Sequence, residues 1–513
     1  MVFADLLRKD SETGQGNPDG FCYNAAAGRA KLLLSHAVAV LKRKLGGSLA
    51  LPRKISMKTI RIGNGAGFWG DNLDAPRRLC EGARLDYLTL EYLAELTMSI
   101  LAHQKSRNPS AGWVTDFEIV LRDLVPALRA QPGLKIVTNA GGMNPQGCAA
   151  TVSRVLVEAG MPEVAIGIVT GDDLLPRLDE LSREGETFAH FETGESFESV
   201  RDRIVSANAY LGGAGIVEAL ADRARIVITG RVADVSLTVG PAVHEFGWSF
   251  RDWERLAPTT VAGHLIECGG QCTGGMYSGW TPEIRLADIG YPIAEISDKA
   301  DVTITKREGT GGRVDVETVS EQLLYEIGDP AHYLTPDIDT DFTQVRLTEA
   351  GPDRVSVQGA RGSSAPDKFK VSVAYQDGYL VSSTLTVCGP HAVETARSAG
   401  ATILEKLRMA GVTPARTNVE VIGAGDTAPG LPGERGNPWD VVLRVSAADP
   451  SRALLDRFTC EFAPLVTAGH PGVTGYVGGR AKPRPVLAYW PTTVSRAHVQ
   501  AISIVRAARE WIA

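Results

Sequence analysis

From Lys58 onwards, short apolar runs alternate with stretches in which apolar residues recur at helical spacing. The runs predict strands at Thr59–Ile62, Leu85–Glu91, Leu134–Thr138, Glu163–Thr170 and Arg225–Thr229. Strands that alternate with helices of roughly 10–15 residues are typical of βαβ units. We therefore expect an α/β fold with a mainly parallel, three-layer, Rossmann-like sheet; a barrel of the same units is the alternative. In an open sheet, ligands bind where the parallel strands end.

The last third of the chain has a different pattern. Apolar positions alternate over Phe369–Val387 and are interrupted at Gln376-Asp-Gly378, which predicts a hairpin. The order β-α-β-β-α-β, expected from here to Val477, is that of a ferredoxin-like α+β unit. We therefore divide the chain into an N-terminal extension (1–57), an α/β catalytic domain (58–364) and a ferredoxin-like domain (365–513).

Composition and charge narrow the class of protein. The chain has 513 residues and a formal charge of −7, which disfavours a nucleic-acid or membrane surface as its partner. No apolar run reaches the roughly 18–20 residues that span a bilayer. Seven scattered cysteines indicate a reducing compartment, so we expect a cytoplasmic protein. Residues 20–70 lack Asp and Glu, and a mitochondrial transit segment within 1–57 is the alternative.

A glycine-rich loop follows the first predicted strand. Gly65, Gly67 and Gly70 form the pattern Gly-x-Gly-x-x-Gly between a strand and a helix, which is typical of an NAD(P) site. Glu91 lies where an acid that binds the ribose would be expected. Against this interpretation, Asp71 would repel the incoming phosphate, and its neighbours Phe68 and Trp69 are bulky.

A loop for a small substrate is the other interpretation of this segment. In it, Asp71 is at the N-cap of the next helix and, with Glu91, is a candidate for proton transfer. Asn72 is a candidate substrate contact beside it. Because these residues follow two predicted strands, we expect one wall of a pocket here.

Two further strand ends carry candidates for substrate binding. Asn139 and Asn144 flank two glycines and could stabilise a carboxylate, carbonyl or enolate oxygen; alternatively, Asn144 caps the helix that Pro145 begins. Arg231 could grip a carboxylate or phosphate in bidentate fashion, with Asp234 beside it; an internal ion pair between the two is the alternative.

The remaining candidates are carboxylates, a histidine and two cations. Asp172 and Asp173 could hold a divalent metal or begin a helix. His264 and Glu267 could form an acid–base pair, and Cys268 would be a nucleophile if its pKa were lowered. Lys306 and Arg307 precede a glycine-rich turn that could receive a phosphate or a coenzyme A-like polyanion, or that could be a solvated basic hairpin.

Several of these motifs, in this order, resemble the acyclic terpene utilisation protein A (AtuA-like) family over about residues 58–480. The resemblance is carried by Gly63–Asp71, Leu85–Thr97, Asn139–Pro145, Gly171–Asp173 and Thr229–Asp234. It implies a C-terminal ferredoxin-like module and a part in the bacterial breakdown of citronellol- and geraniol-type compounds, which proceeds through branched acyl-CoA thioesters. The extension 1–57 lies outside the family pattern, and Trp69 stands where a smaller or more polar residue is expected.

Three functions follow from the residues and the resemblance. The first is a lyase or hydratase that acts on a branched or terpenoid-derived carboxylic acid or its acyl-CoA thioester; it needs no redox cofactor and could use a divalent metal. The second is an NAD(P)-dependent oxidoreductase that uses the Gly65–Gly70 loop. The third is a non-catalytic subunit of an acyl-CoA carboxylase-like complex. We favour the first, with a small-molecule partner and a homo-oligomeric assembly.

Overall fold

A large mixed sheet forms the centre of the protein. The computed structural model describes residues 58–430, 436–475 and 479–512, and Lys58–Ala513 form one compact unit. The N-terminal extension, with the targeting role considered for it, lies outside the described residues. The sheet has ten strands in the order β11-β12-β8-β7-β1-β2-β3-β6-β4-β19. Its strands are β1 (Thr59–Asn64), β2 (Tyr87–Leu90), β3 (Lys135–Thr138), β4 (Ala165–Thr170), β6 (Ile226–Thr229), β7 (Pro292–Ser297), β8 (Val302–Lys306), β11 (Arg346–Gly351), β12 (Arg354–Gln358) and β19 (Ile502–Ala507).

The centre of this sheet follows the sequence pattern. Strands β1, β2, β3, β6 and β4 are mutually parallel and coincide with the five strands predicted from the apolar runs. Antiparallel strands extend both sides, since β7 pairs with β1 and β19 pairs with β4. The sheet is therefore mixed and not mainly parallel. Its strand order has two ends, so the barrel alternative is wrong.

Helices cover both faces of the parallel strands. Alternate strand residues point to opposite faces, so that Ile136 packs in one core and Val137 in the other. Helices α1 (Ala75–Gly82), α3 (Asp116–Ala130) and α4 (Pro145–Glu158) pack on the first face. Helices α6 (Ala214–Ala221), α7 (Ser236–Phe246) and α8 (Trp253–Glu267) pack on the second. The two further helices of this part are α2 (Glu95–Arg107) and α5 (Leu178–Arg183).

A second, antiparallel sheet is built around one long strand. Strand β14 (Lys368–Cys388) pairs with β5 (Ile204–Ala209) and β18 (Arg484–Ser495) along its first half, and with β16 (Asp440–Asp449) along its second. The predicted hairpin at Gln376–Gly378 is wrong. The strand continues through these residues as a bulge, with a shifted register against β18 and Gly378 at a φ of +74°.

The remaining elements of the C-terminal part pack on this sheet. Its described strands run in the order β15-β16-β14-β17, and β15 (Arg416–Ile422) and β17 (Val473–Thr474) complete it. The helices are α10 (Ala392–Met409), α11 (Arg452–Phe458) and α12 (Leu465–Ala468). The short strands β9 (Tyr333–Leu334), β10 (Asp339–Asp341) and β13 (Arg361–Ser363) form a small antiparallel sheet, and α9 (Val316–Leu324) precedes them in the chain. None of the described helices is long and apolar enough to cross a lipid bilayer.

Candidate functional site

A cavity of about 1920 Å³ opens where the parallel strands end. Its floor comprises residues that follow three parallel strands: Gly67, Phe68 and Asp71 after β1, Glu91, Leu93 and Ala94 after β2, and Arg231, Ala233, Asp234 and Val235 after β6. The other walls come from the end of α8, the loop around Tyr325–Pro336, and the paired strands β14 and β18. Pockets for small ligands usually have volumes of roughly 300–1,000 Å³. This cavity therefore has room for a ligand larger than a short acid.

Glu91 is buried in the floor and is held in one orientation. Its Oε1 accepts a hydrogen bond from the Leu93 N–H at 2.7 Å, and its Oε2 accepts one from the Asn139 amide at 2.5 Å. Burial and then the charge of Asp234 raise its pKa well above the usual range, although Arg231 and Asn139 act in the opposite direction. Glu91 therefore reaches the cavity in surroundings that favour the protonated form of its carboxyl group.

Asn139 lies behind Glu91 and is completely buried. Its Oδ1 accepts from the Tyr92 N–H at 2.8 Å, while its amide nitrogen donates to Glu91. It does not line the cavity, although the sequence suggested that it would contact substrate. Its contacts are those of a residue that positions Glu91.

Arg231 crosses the floor with its guanidinium already engaged. It donates to Asp234 Oδ1 at 2.9 Å and to the Leu93 carbonyl, and it stacks on the Tyr210 ring at 4.1 Å from the centroid. Only 1% of the residue is exposed. The internal ion pair that the sequence left open as an alternative is therefore present. Arg231 and Asp234 both line the cavity as a pair.

Asp172 and Asp173 lie below this pair and not in the cavity. Asp172 is buried, and its Oδ2 accepts from the Arg231 N–H at 2.9 Å and from the Asn208 amide at 2.8 Å. Burial raises its pKa to about 6. Asp173 is exposed and accepts from the Leu175 N–H, at the start of a helical turn. Within the described ranges, no group of three or more His, Cys, Asp or Glu side chains could hold a metal ion.

His264 and Glu267 form a buried dyad at the end of α8. His264 Nε2 lies 3.0 Å from the Gln322 carbonyl oxygen, and Nδ1 lies 3.0 Å from Glu267 Oε1. A carbonyl only accepts, so Nε2 carries a hydrogen, and a proton must also lie between Nδ1 and Glu267. Burial lowers the pKa of His264, but the hydrogen bond and charge of Glu267 outweigh it, so the net shift is upward. His264 is behind the wall; Glu267 lines the cavity.

The second carboxylate oxygen of Glu267 is not used by the contact with His264. Glu267 Oε2 is buried and has no hydrogen-bond partner among the described residues. Tyr333 lies beside the dyad, with its ring centroid 5.5 Å from that of His264. Burial raises the pKa of Tyr333, and the charges of Glu267 and Asp234 raise it further, so both carboxylates are close to the same phenol. The dyad and the Arg231–Asp234 pair therefore face a common space.

Asp71 lines the cavity and anchors its own loop. Its Oδ2 accepts from the Gly67 N–H at 2.8 Å, and its Oδ1 accepts from the Asn72 N–H at 2.6 Å and from the Tyr291 hydroxyl at 2.5 Å. The N-cap of α1 is Asp74, so the prediction that Asp71 caps this helix is wrong. Asp71 instead fixes the turn that carries Phe68 towards the cavity.

Two of the three glycines of the loop serve local packing, whereas Gly70 has a φ of +99° and open space beside it. A Cβ on Gly67 would be 2.7 Å from the Cys268 carbonyl carbon, and one on Gly65 would be 3.0 Å from the Pro76 Cα. The close approach that these glycines permit is therefore used by the chain itself. Gly67 lines the cavity, whereas Gly65 and Gly70 do not.

Besides Asn139, four candidates for substrate binding lie outside the cavity. Lys306 is buried, with its Nζ 3.0 Å from Asp353 Oδ2. Arg307 donates to the Arg78 carbonyl at 3.2 Å. Asn144 caps α4 by accepting from the Gly147 N–H at 2.9 Å, as its alternative interpretation predicted. Asn72, like Arg307, borders a separate small cavity.

Cys268 lines the cavity, but its thiol is not activated. Burial and then the charge of Glu267 raise its pKa to about 12. A thiolate is the nucleophilic form of cysteine, so Cys268 is not suited to attack a substrate at neutral pH. The condition set for a nucleophilic role is therefore not met.

Sequence reasoning missed the aromatic residues of the site other than Phe68. Tyr210, Tyr291 and Tyr333 line the cavity and contact Arg231, Asp71 and His264 respectively. Six further apolar or aromatic side chains at the cavity are each more than a third exposed: Phe68, Phe191, Met276, Tyr325, Leu334 and Tyr489. They come from separate parts of the chain, so no local motif identifies them.

Comparison with protein families gives one match. The model of the family described as "Acyclic terpene utilisation family protein AtuA" matches residues 60–504. No match was found among curated proteins or among solved structures. The matched range contains every residue of the cavity floor.

Proposed function

We propose that this chain is an acid–base enzyme of the lyase or hydratase type. The chain belongs to the AtuA family and so has a role in acyclic terpene utilisation. Its substrate would be a branched or terpenoid-derived carboxylic acid or the acyl-CoA thioester of that acid. For the fold we propose a Rossmann-like domain over 58–364 and a ferredoxin-like unit over 365–513. The order β14-α10-β15-β16-α11-β17 supports the second assignment.

The pair of oriented carboxyl groups in one cavity is the observation that carries this proposal. Glu91 is held by Asn139 and the Leu93 N–H, and Glu267 is held by His264. Their surroundings differ, since burial and Asp234 raise the pKa of Glu91, whereas Glu267 faces a histidine that is readily protonated. Two carboxyl groups in different surroundings can serve as the acid and the base of one reaction.

The chemistry is an addition of water to a carbon–carbon double bond conjugated to a carbonyl. Glu267 takes a proton from water, whose oxygen bonds to the β-carbon, and electron density moves to the carbonyl oxygen as an enolate. Glu91 gives its proton to the α-carbon, and the carbonyl re-forms. In the reverse direction the same two groups eliminate water from a β-hydroxyacyl compound. The transfer of one proton in each direction balances the step.

The exposed apolar residues at the cavity support a hydrocarbon substrate. Phe68, Phe191, Met276 and Leu334 are each more than half exposed and border the same opening. Large exposed apolar groups gathered around one cleft are typical of a binding surface for an apolar ligand. A branched hydrocarbon chain would cover them while its polar end reaches the floor.

Two substitutions test the proposal. Purified protein is incubated with geranoyl and straight-chain 2-enoyl thioesters, and the gain or loss of water is followed by mass spectrometry. We expect Glu91→Gln and Glu267→Gln to lower kcat by roughly 10²–10⁴-fold, the usual contribution of general acid–base groups. Glu192→Gln, at an exposed position of the same cavity, is the matched control and should stay near the wild-type rate. An absence of turnover on every thioester by the wild-type chain would contradict the proposal.

A further inference from the structure

The charges that line the cavity are strongly unequal. Among the described residues that border it, nine carry carboxyl groups and three are arginine or lysine. Lys368 and Lys370 belong to β14 in the outer wall and are exposed, whereas Arg231 is the cation of the floor. A ligand at the floor therefore has the carboxyl groups of Glu91, Asp234 and Glu267 around it and one cation, Arg231.

The contacts that Arg231 already makes leave its guanidinium poorly available to bind an anionic ligand. Its guanidinium donates to Asp234 and to the Leu93 carbonyl, and one face is covered by Tyr210. A substrate carboxylate would have to displace Asp234, and the floor would then hold two carboxylates against one guanidinium. Exchange of one carboxylate for another brings little gain, and the displaced charge adds repulsion in a partly dry site.

An uncharged carbonyl meets better conditions in the same place. The surroundings of Glu91 favour its protonated form, which can donate a hydrogen bond, and Tyr333 lines the same cavity with a pKa raised by burial and by the charges of Glu267 and Asp234. A carbonyl oxygen accepts from such donors without adding charge. We propose that the substrate reaches the floor as an uncharged acyl derivative, a thioester or an ester, and that the Arg231–Asp234 pair excludes the free carboxylate. This inference rests on the proposed function and narrows its substrate class.

Binding to the intact wild-type chain provides the first test. Citronellic acid is compared by calorimetry with its primary amide, which has the same size and no charge, and with its N-acetylcysteamine and coenzyme A thioesters. We expect the amide and at least one thioester to bind at least tenfold more tightly than the carboxylate at pH 7. The comparison of the two thioesters shows whether the coenzyme contributes. Equal or tighter binding of the carboxylate overturns the inference. Because this experiment measures binding, its result does not depend on whether the proposed reaction takes place.

A substitution that releases Arg231 gives the second test. Asp234→Asn removes its carboxylate partner, so the Kd ratio of carboxylate to amide should fall at least tenfold. Asp367→Asn removes one negative charge from an exposed position of the same cavity without touching Arg231, and its ratio should stay within about threefold of wild type. A ratio unchanged by Asp234→Asn in a folded protein, or changed equally by both variants, overturns the inference. If Asp234→Asn does not fold, the wild-type comparison of carboxylate and amide decides.

Discussion

Replacement of Asn139 tests whether this residue positions Glu91 or binds substrate. In Asn139→Ala the Tyr92 N–H loses its acceptor and Glu91 Oε2 loses its donor, and both groups are buried. Each buried polar group left without a partner costs about 1–3 kcal/mol, so the free energy of unfolding should fall by about 2–6 kcal/mol. The loss should be measurable in urea denaturation followed by tryptophan fluorescence.

A double-mutant cycle isolates the contact with Glu91. If Glu91 is already alanine, the Asn139 amide has no carboxyl partner, and its removal should cost about 1–3 kcal/mol less than it costs in the wild-type background. Asn144→Ala is the matched control on the same loop. It removes a helix cap at a cost of about 1 kcal/mol and should be additive with Glu91→Ala. Additivity of the Asn139 and Glu91 substitutions within about 0.5 kcal/mol would refute the positioning role.

Three further predictions concern residues around the site. Burial raises the pKa of Asp172 to about 6 from an ordinary value of 3.8, so the proton on Asp172 favours the folded state at low pH, and this stability is lost as the pH rises through about 4–6. Relative to Asp172→Asn, the wild type should lose up to about 3 kcal/mol of unfolding free energy over this range in urea titrations. Burial raises the pKa of Cys268 to about 12, so Cys268 should react with iodoacetamide at pH 7.5 at least tenfold more slowly than exposed Cys388, as measured by peptide mapping. The variant Cys268→Ser should stay active. Rapid labelling of Cys268 would contradict its assignment as an unreactive thiol. Lys306→Met breaks the contact with Asp353 and should lower the melting temperature without a change in KM, whereas a raised KM would restore its role in binding.

The parallel strands made much of the floor predictable. Asp71, Glu91 and Arg231 each follow an apolar run, and parallel strands end at one edge of a sheet, so their convergence follows from order along the chain. The His264–Glu267 dyad could also be predicted from the sequence, because residues three apart share a face of a helix.

Side-chain partners and remote walls could not be predicted in the same way. Whether a cation is free or paired depends on residues that local patterns do not reveal, as with Lys306 and Asp353. The bulge at Gly378 has the composition of a turn, and only pairing with β18 and β16 keeps the strand continuous. The aromatic wall is assembled from distant segments, which requires tertiary contacts that no spacing rule supplies.

The position of strand β19 affects how the chain is made. Thr170 of β4 pairs with Ile502 of β19, so one edge of the central sheet stays without its neighbour until more than 300 further residues have been synthesised. At about 5–20 residues per second, the nascent protein carries an open strand edge for roughly 20–60 s. Such an edge is a template for association with other chains. Although β4 is paired on both sides in the folded protein, production of the protein should therefore depend on chaperones that cover the exposed edge of β4 during synthesis.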